Sequence, residues 1–151
     1  MKDLSSRLFY NPWVQFNLEY GDNGHKEGLY KAHISSIDPT SGWLEVDYFE
    51  TETLEKEWSS AIENIKPYLR PMSSMTEEEK EELKKLFDAE KVTNDSLGFT
   101  EGGTLEDYIS QVSYDFCGSV TDWLLAHHFD YRFPGLIEKG LALEAPTGMY
   151  K

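Results

Sequence analysis

Up to about residue 70, apolar and polar residues alternate in short segments, and turn-forming residues separate these segments. Alternation with a period of two places the apolar side chains on one face of a β-strand. Turn chemistry, as in Gly21–Gly24 and Asp38–Gly42, marks the reversals between the segments. The predicted strands cover 13–20, 29–37 (with a bulge where the alternation slips), 43–49 and 54–58, followed by a helical turn or short final strand over 61–67.

Four or five strands at a spacing of roughly ten residues are typical of a small, closed antiparallel barrel. Closure removes the unpaired edges that short strands otherwise expose. In length, strand order and the final Ile65-Lys66-Pro67 step, residues 10–70 resemble an SH3-like or Tudor-like barrel. This is a resemblance of fold and implies no activity.

Beyond residue 70 the periodicity changes to steps of three and four, which predicts helices. Thr76 and Glu79 form a capping box at the start of a charged helix that ends near Lys91 and carries a narrow apolar face. A broader apolar face predicts a well-buried helix over 104–128, in which Gly118 is expected to mark close packing or a bend. The sequence then predicts a short turn over 135–140 and an edge strand or extended tail over 141–146.

The predicted fold class is therefore α+β, a small antiparallel barrel followed by a helical C-terminal half. The barrel is expected over 10–70. The helical region over 71–151 is expected to pack on it, either as a second domain or as part of one continuous domain. Lys66-Pro67 and Arg70-Pro71 exclude helix at the junction and predict an extended linker.

Composition limits the partners of this chain. Its 151 residues carry 28 acidic against 14 basic side chains, a formal net charge of -14. Both halves are acidic, so binding to nucleic acid or to an anionic membrane is disfavoured and a basic protein surface is favoured. The N-terminus lacks the apolar core of a signal peptide, and no long apolar run predicts a membrane span. The expectation is a cytoplasmic protein.

The motifs of the common enzyme classes are missing from the sequence. It contains no phosphate-binding loop, no Gly-x-Ser-x-Gly and no dinucleotide fingerprint, so no catalytic residue, metal or cofactor is predicted. The single cysteine, Cys117, excludes an intramolecular disulfide, and packing is its expected role.

Two sets of side chains are compatible with an enzyme as an alternative function. His128, Asp130, Tyr131 and Arg132 are predicted either to hold a junction by hydrogen bonds or to line a cleft. A hydrolase could use His128 and Asp130 together with carboxylates of the predicted strands. Those carboxylates occur as the pairs Glu45/Asp47 and Glu55/Glu57, at a spacing of two residues.

Aromatic residues are unusually frequent in the predicted barrel. They could fill its core, or they could form an exposed patch or cage of the kind that binds methylated lysine by cation–π contact. The alternation places Trp43 and Phe49 on the face opposite Leu44 and Val46. The predicted binding residues are Trp13, Trp43, Phe49 and Trp58.

Two long strings carry a resemblance to a known family. They are IKPYLRPMSSMTEEE at 65–79, and AHHFDYR at 126–132 followed by GLIEKGLALEAP at 135–146. Together they resemble an uncharacterised family of small proteins encoded by phages and mobile elements of gut anaerobes. The resemblance covers about a quarter of the chain and implies a phage or prophage origin without assigning an activity to any residue.

From these observations we expect a non-enzymatic interaction protein that binds a basic protein partner. One alternative is an acidic mimic of nucleic acid that occupies the groove of a nuclease or another DNA-binding protein. The other alternative is the hydrolase built on His128 and Asp130.

Overall fold

A computed structural model describes residues 7, 10–21, 24–38, 40–93, 118–131 and 135–150. This part of the chain is a mixed α+β structure with seven β-strands and two α-helices. It divides into two compact units, residues 1–68 with 141–143 and residues 69–140 with 144–151. Over these described ranges, no helix is both long enough and apolar enough to cross a membrane.

The elements follow one another in a simple order along the chain. The strands are β1 (Trp13–Leu18), β2 (Gly28–Ile37), β3 (Trp43–Thr51), β4 (Leu54–Ala61), β5 (Ile65–Pro71), β6 (Phe129–Asp130) and β7 (Leu143–Glu144). The α-helices are α1 (Glu77–Thr93) and α2 (Ser119–Ala126), and single 3-10 turns cover Ile62–Asn64 and Met72–Ser74.

The first unit is built on an antiparallel sheet in the order β4-β3-β2-β1-β5. Alternate residues of its strands form the core on one face, here called the core face, which confirms the predicted period of two. A register shift between Ile34 and Ser36 confirms the predicted bulge in β2. The buried core residues are Val14, Phe16, Leu18, Ala32, Ile34, Leu44, Val46, Tyr48 and Ile65.

The closed barrel that the sequence predicts is not seen among the described strands. Within the described part of the first unit, β4 and β5 are the two outermost strands of the order β4-β3-β2-β1-β5, and no hydrogen-bonded pairing joins these two strands. The strand β4 runs three residues beyond the predicted 54–58, because its ladder with β3 continues to the pair Trp43 and Ala61. Its second backbone edge therefore has no strand partner within the described ranges.

The segment predicted as an extended linker is a strand. Residues 62–64 form a 3-10 turn, and β5 then pairs with β1, with Pro67 opposite Val14. Its later residues Arg70 and Pro71 pair in parallel with β6. The prolines fix φ at a value that an extended chain tolerates, so they exclude helix here but not a strand.

The Asp38–Gly42 reversal forms as predicted. The Asp38 carboxylate accepts hydrogen bonds from the Thr40 amide at 2.8 Å and the Ser41 hydroxyl at 2.6 Å. The Ser41 hydroxyl, with the Thr40 amide, lowers the pKa of the Asp38 carboxyl. Gly42 has φ of 75°, a left-handed conformation that favours glycine.

In the second unit, the predicted capping box of α1 is present. The Thr76 amide donates to Glu79 Oε2 at 2.8 Å, and the Glu79 amide donates to Thr76 Oγ1 at 3.2 Å. Arg70 also binds both Glu79 oxygens, at 2.7 and 2.8 Å, and this guanidinium lowers the pKa of the Glu79 carboxyl. The narrow apolar face holds Leu83 and Phe87, both buried, and α1 contacts α2.

The prediction of one helix through Gly118 was wrong. Gly118 has extended backbone (φ -145°, ψ 165°) and is the N-cap of a helix that begins at Ser119. Apolar steps of three and four continue across this position, so the pattern did not reveal the break. The remainder of the predicted helix, 104–117, lies outside the described residues, as does Cys117.

The end of the chain follows the sequence-based expectation. The Lys139 amide donates to the Gly135 carbonyl at 3.1 Å, and Gly140 ends this turn with φ of 70°. The next segment forms β7, which pairs with β5 and so confirms the edge-strand alternative.

Candidate functional site

The first unit contains a groove of about 340 Å³, here called the tryptophan groove, at one end of its sheet. The end of β1, the start of β3, the end of β4 and the 3-10 turn at 62–64 line it. Tyr20 is 81% exposed and Trp43 51% exposed, so two large rings face solvent here. Among the described lining residues, Glu19 is the one charged side chain. The groove therefore offers apolar and aromatic surface beside a carboxylate.

The strand register explains why the rings of this groove differ in burial. Trp58 lies opposite Val46 on the core face, where it packs partly buried against the core. Trp43 begins β3 and lies opposite Ala61, whose methyl group covers little of an indole. The sequence therefore places a large ring beside a small neighbour, and this leaves Trp43 available for contact with a ligand.

A second aromatic cluster, here called the outer cluster, consists of Trp13, His33 and Phe49 on the face opposite the core. The ring centroids of Trp13 and His33 lie 3.5 Å apart, and those of Trp13 and Phe49 lie 5.6 Å apart. The Lys31 ammonium lies 3.7 Å from the Trp13 ring centroid. This cluster already holds a cation of its own chain.

Burial is the main cause of a lowered pKa at His33, and the charge of Lys31 lowers it further. A hydrogen bond with the Pro12 backbone and the charges of Glu55 and Asp47 act in the opposite direction. At pH 6.5 and above, the neutral imidazole is therefore the favoured form in the folded chain.

The four predicted binding residues fall into two places rather than one cage. Trp13 and Phe49 belong to the outer cluster, whereas Trp43 and Trp58 line the tryptophan groove. Tyr48, another aromatic residue of β3, is fully buried, and its hydroxyl lies 2.6 Å from His25 Nδ1. Desolvation raises the pKa of the Tyr48 phenol, as expected for a core residue.

An open cleft of about 680 Å³, here called the acidic cleft, lies along the first half of β4. Asp47, Glu55 and Glu57 line it, and Asp47 lies directly opposite Glu57 across the β3–β4 ladder. Like charges at such a position repel one another. Lys56, a cation in the lining, is ion-paired with Glu50. None of the ion pairs found within the described ranges involves the three cleft carboxylates.

The His128–Arg132 segment lies in the second unit, and its described side chains have structural contacts. The Asp130 carboxylate accepts hydrogen bonds from the Leu136 amide at 3.0 Å and the Ile137 amide at 2.9 Å. The buried His128 ring stacks on Tyr150 at 3.7 Å. Tyr131 is buried, and Arg132 lies outside the described residues.

These contacts suit a junction held by hydrogen bonds. A cavity of about 340 Å³ in this unit is lined by Arg70, Glu79 and Tyr150 among others, but by neither His128 nor Asp130. The described part of the chain holds no group of three or more His, Cys, Asp or Glu side chains placed to bind a metal.

Glu90 is a structural carboxylate that was not predicted from the sequence. It is 8% exposed, and its Oε1 accepts from the Ser119 hydroxyl at 2.9 Å and the Val120 amide at 3.4 Å. Its carboxylate therefore caps the N-terminus of α2 from α1. Glu90 lies seven residues after Leu83 and three residues after Phe87. This helical spacing indicates that Glu90 is on the same buried face of α1 as these two residues.

Glu19 and Tyr20 were also not predicted as lining residues of the tryptophan groove. The sequence places them in the first strand, whereas β1 ends at Leu18. Comparisons of the chain with protein-family models, with curated proteins and with solved structures gave no match. The function is therefore inferred from the geometry of the groove and the cleft.

Proposed function

We propose that the chain is a non-enzymatic binding module that captures a positively charged, extended segment of a partner protein. An apolar side chain of this segment occupies the tryptophan groove. The observation that carries the proposal is the exposure of Trp43 and Tyr20 at a concave site, since large rings at such positions supply much of the energy of protein recognition.

Charge favours a basic partner. The net charge of the chain is -14, and the acidic cleft adjoins the same strand as the groove. A cationic segment relieves the repulsion between Asp47 and Glu57, and long-range attraction accelerates its encounter with the chain. A nucleic acid would instead add negative charge to this surface.

We further propose that the first unit is an open variant of an SH3-like or Tudor-like barrel from a phage or mobile element. The order β4-β3-β2-β1-β5 and the 3-10 turn before β5 support the fold. The strings at 65–79, 126–132 and 135–146 support the origin. The hydrolase alternative lacks comparable support, because the Asp130 carboxylate is engaged with two backbone amides.

Fluorescence anisotropy with a labelled octapeptide of alternating lysine and valine tests the proposal. We expect this peptide to bind, and a matched peptide of alternating glutamate and valine not to bind. Raising NaCl from about 50 mM to about 500 mM should weaken binding, because the salt screens the charges.

The variant Trp43→Ala should lower affinity for the lysine peptide about tenfold, because it removes a ring that contacts the ligand. Leu29→Ala is the matched control, since Leu29 is 64% exposed on β2 and lies outside the lining of the groove. Equal affinities of the two variants, or equal binding of the glutamate peptide, would contradict the proposal.

A further inference from the structure

We infer that the captured segment binds by adding as a β-strand to the open edge of β4. This inference rests on the proposed function and specifies how the segment is held. Within the described ranges β4 pairs with β3 alone, so one side of its backbone has no strand partner. Such an edge presents a row of amide and carbonyl groups that can pair with an extended peptide.

The two recesses of the first unit border β4 one after the other. Glu55, Lys56 and Glu57 line the acidic cleft, and the next four residues, 58–61, line the tryptophan groove. A ligand that reaches both recesses must therefore run along β4. Eight strand residues span about 26 Å, so the ligand is extended rather than a single side chain.

The alternation of β4 specifies the pattern of the ligand. Glu55 and Glu57 point to the outer face, because they lie opposite Phe49 and Asp47. Trp58 points to the core face, opposite Val46. A strand beside β4 shares these two faces, so its outer-face residues lie beside Glu55 and Glu57, while its core-face residues lie on the side of Trp58. The partner segment therefore alternates cationic and apolar residues.

The negative charge of β4 also favours a basic partner over a second copy of this chain. Pairing of two β4 edges brings Glu55 and Glu57 of one copy next to those of the other copy, and like charges on neighbouring strands repel. Charged residues on an edge strand commonly prevent such self-pairing. A strand that carries lysine or arginine gains attraction at the same positions.

N-methylated forms of the lysine–valine octapeptide test the strand addition. In one form every lysine amide is methylated, and in the other every valine amide. Alternate amides of an added strand point to β4, so one form should lose affinity about tenfold or more, while the other stays within about threefold of the parent. Equal affinities of the two forms overturn strand addition but leave the groove proposal standing, whereas absence of binding by the parent peptide overturns both.

Two double variants test the role of the edge carboxylates. Glu55→Gln with Glu57→Gln should lower affinity for the parent peptide about threefold to tenfold. The control Glu78→Gln with Glu82→Gln removes the same charge from exposed positions of α1 and should leave the affinity unchanged. Equal losses would overturn the inference. A dimer of the unliganded chain that the peptide dissociates would also overturn it, because a second copy would then be the occupant of β4.

Discussion

Single residues of the first unit couple its stability to pH, and His33 is the clearest case. Its ring packs against Trp13 in the outer cluster, where burial, aided by the charge of Lys31, lowers its pKa below the ordinary value of 6.5. The unfolded chain therefore binds a proton more readily than the folded chain between the folded pKa and 6.5. This contribution to stability is fully present above pH 6.5 and is lost as the pH falls through the folded pKa.

We expect the variant His33→Phe to be less sensitive to acid than the native chain, because phenylalanine keeps a ring against Trp13 but cannot bind a proton. Urea unfolding followed by circular dichroism, at about pH 7.5 and about pH 5.5, measures the difference. The native chain should lose more of its free energy of unfolding between the two pH values. Identical losses would show that His33 is not the acid-sensitive group.

At the scale of elements, the joining of α1 to α2 depends on a buried carboxylate. Gly118 supplies no side-chain cap to α2, and Glu90 accepts hydrogen bonds from Ser119 and Val120 in its place. Removal of a buried hydrogen-bonding partner costs about 1–3 kcal/mol. We therefore expect Glu90→Ala to lower the free energy of unfolding of the chain by that amount.

Chemical denaturation of Glu90→Ala beside Glu82→Ala measures this contribution. Glu82 is an exposed residue of the same helix, so its replacement controls for the lost charge and for helix propensity. The control should change the free energy of unfolding by less than about 0.5 kcal/mol. A comparable loss in both variants would mean that the Glu90 cap does not stabilise the contact between the helices.

The sequence predicts elements well where they depend on local periodicity. The strands β1 to β3, the bulge in β2 and the capping box at Thr76 all follow from the spacing of apolar residues or of capping groups. The start of α2 at Ser119 was not predicted, because the apolar steps continue across Gly118, whose backbone is extended. The open edge of β4 depends on which strands pair, and a local pattern does not contain that information.

In the candidate site too, some features follow from local sequence patterns, whereas others depend on how the strands pair. Residue type and alternation identify Trp13, Trp43, Phe49 and Trp58 as ligand-binding candidates. The strand register then brings Trp13 and Phe49 together in the outer cluster, and it places Trp58 near the end of the sheet where Trp43 begins β3. Tyr20 enters the lining because the chain leaves β1 at this point, which no periodicity marks.

At the scale of the whole molecule, the charge of -14 selects the class of partner, while the groove and the edge of β4 select its conformation. Electrostatic attraction acts at long range and is screened by salt, whereas contact with the tryptophan rings acts only at short range. Capture therefore requires a cationic segment that reaches both the acidic cleft and the tryptophan groove. Each of the four tryptophans of the chain can serve as a probe of where such a segment binds.

The most direct test is a titration of the isotopically labelled chain with the lysine–valine octapeptide, followed through the indole N–H resonances by NMR. Trp43 and Trp58 line the groove, Trp13 lies in the outer cluster, and Trp123 is buried in the second unit. We expect the resonances of Trp43 and Trp58 to shift, while those of Trp13 and Trp123 stay in place. Shifts confined to Trp13, or no shift in any of the four at saturating peptide, would contradict this expectation.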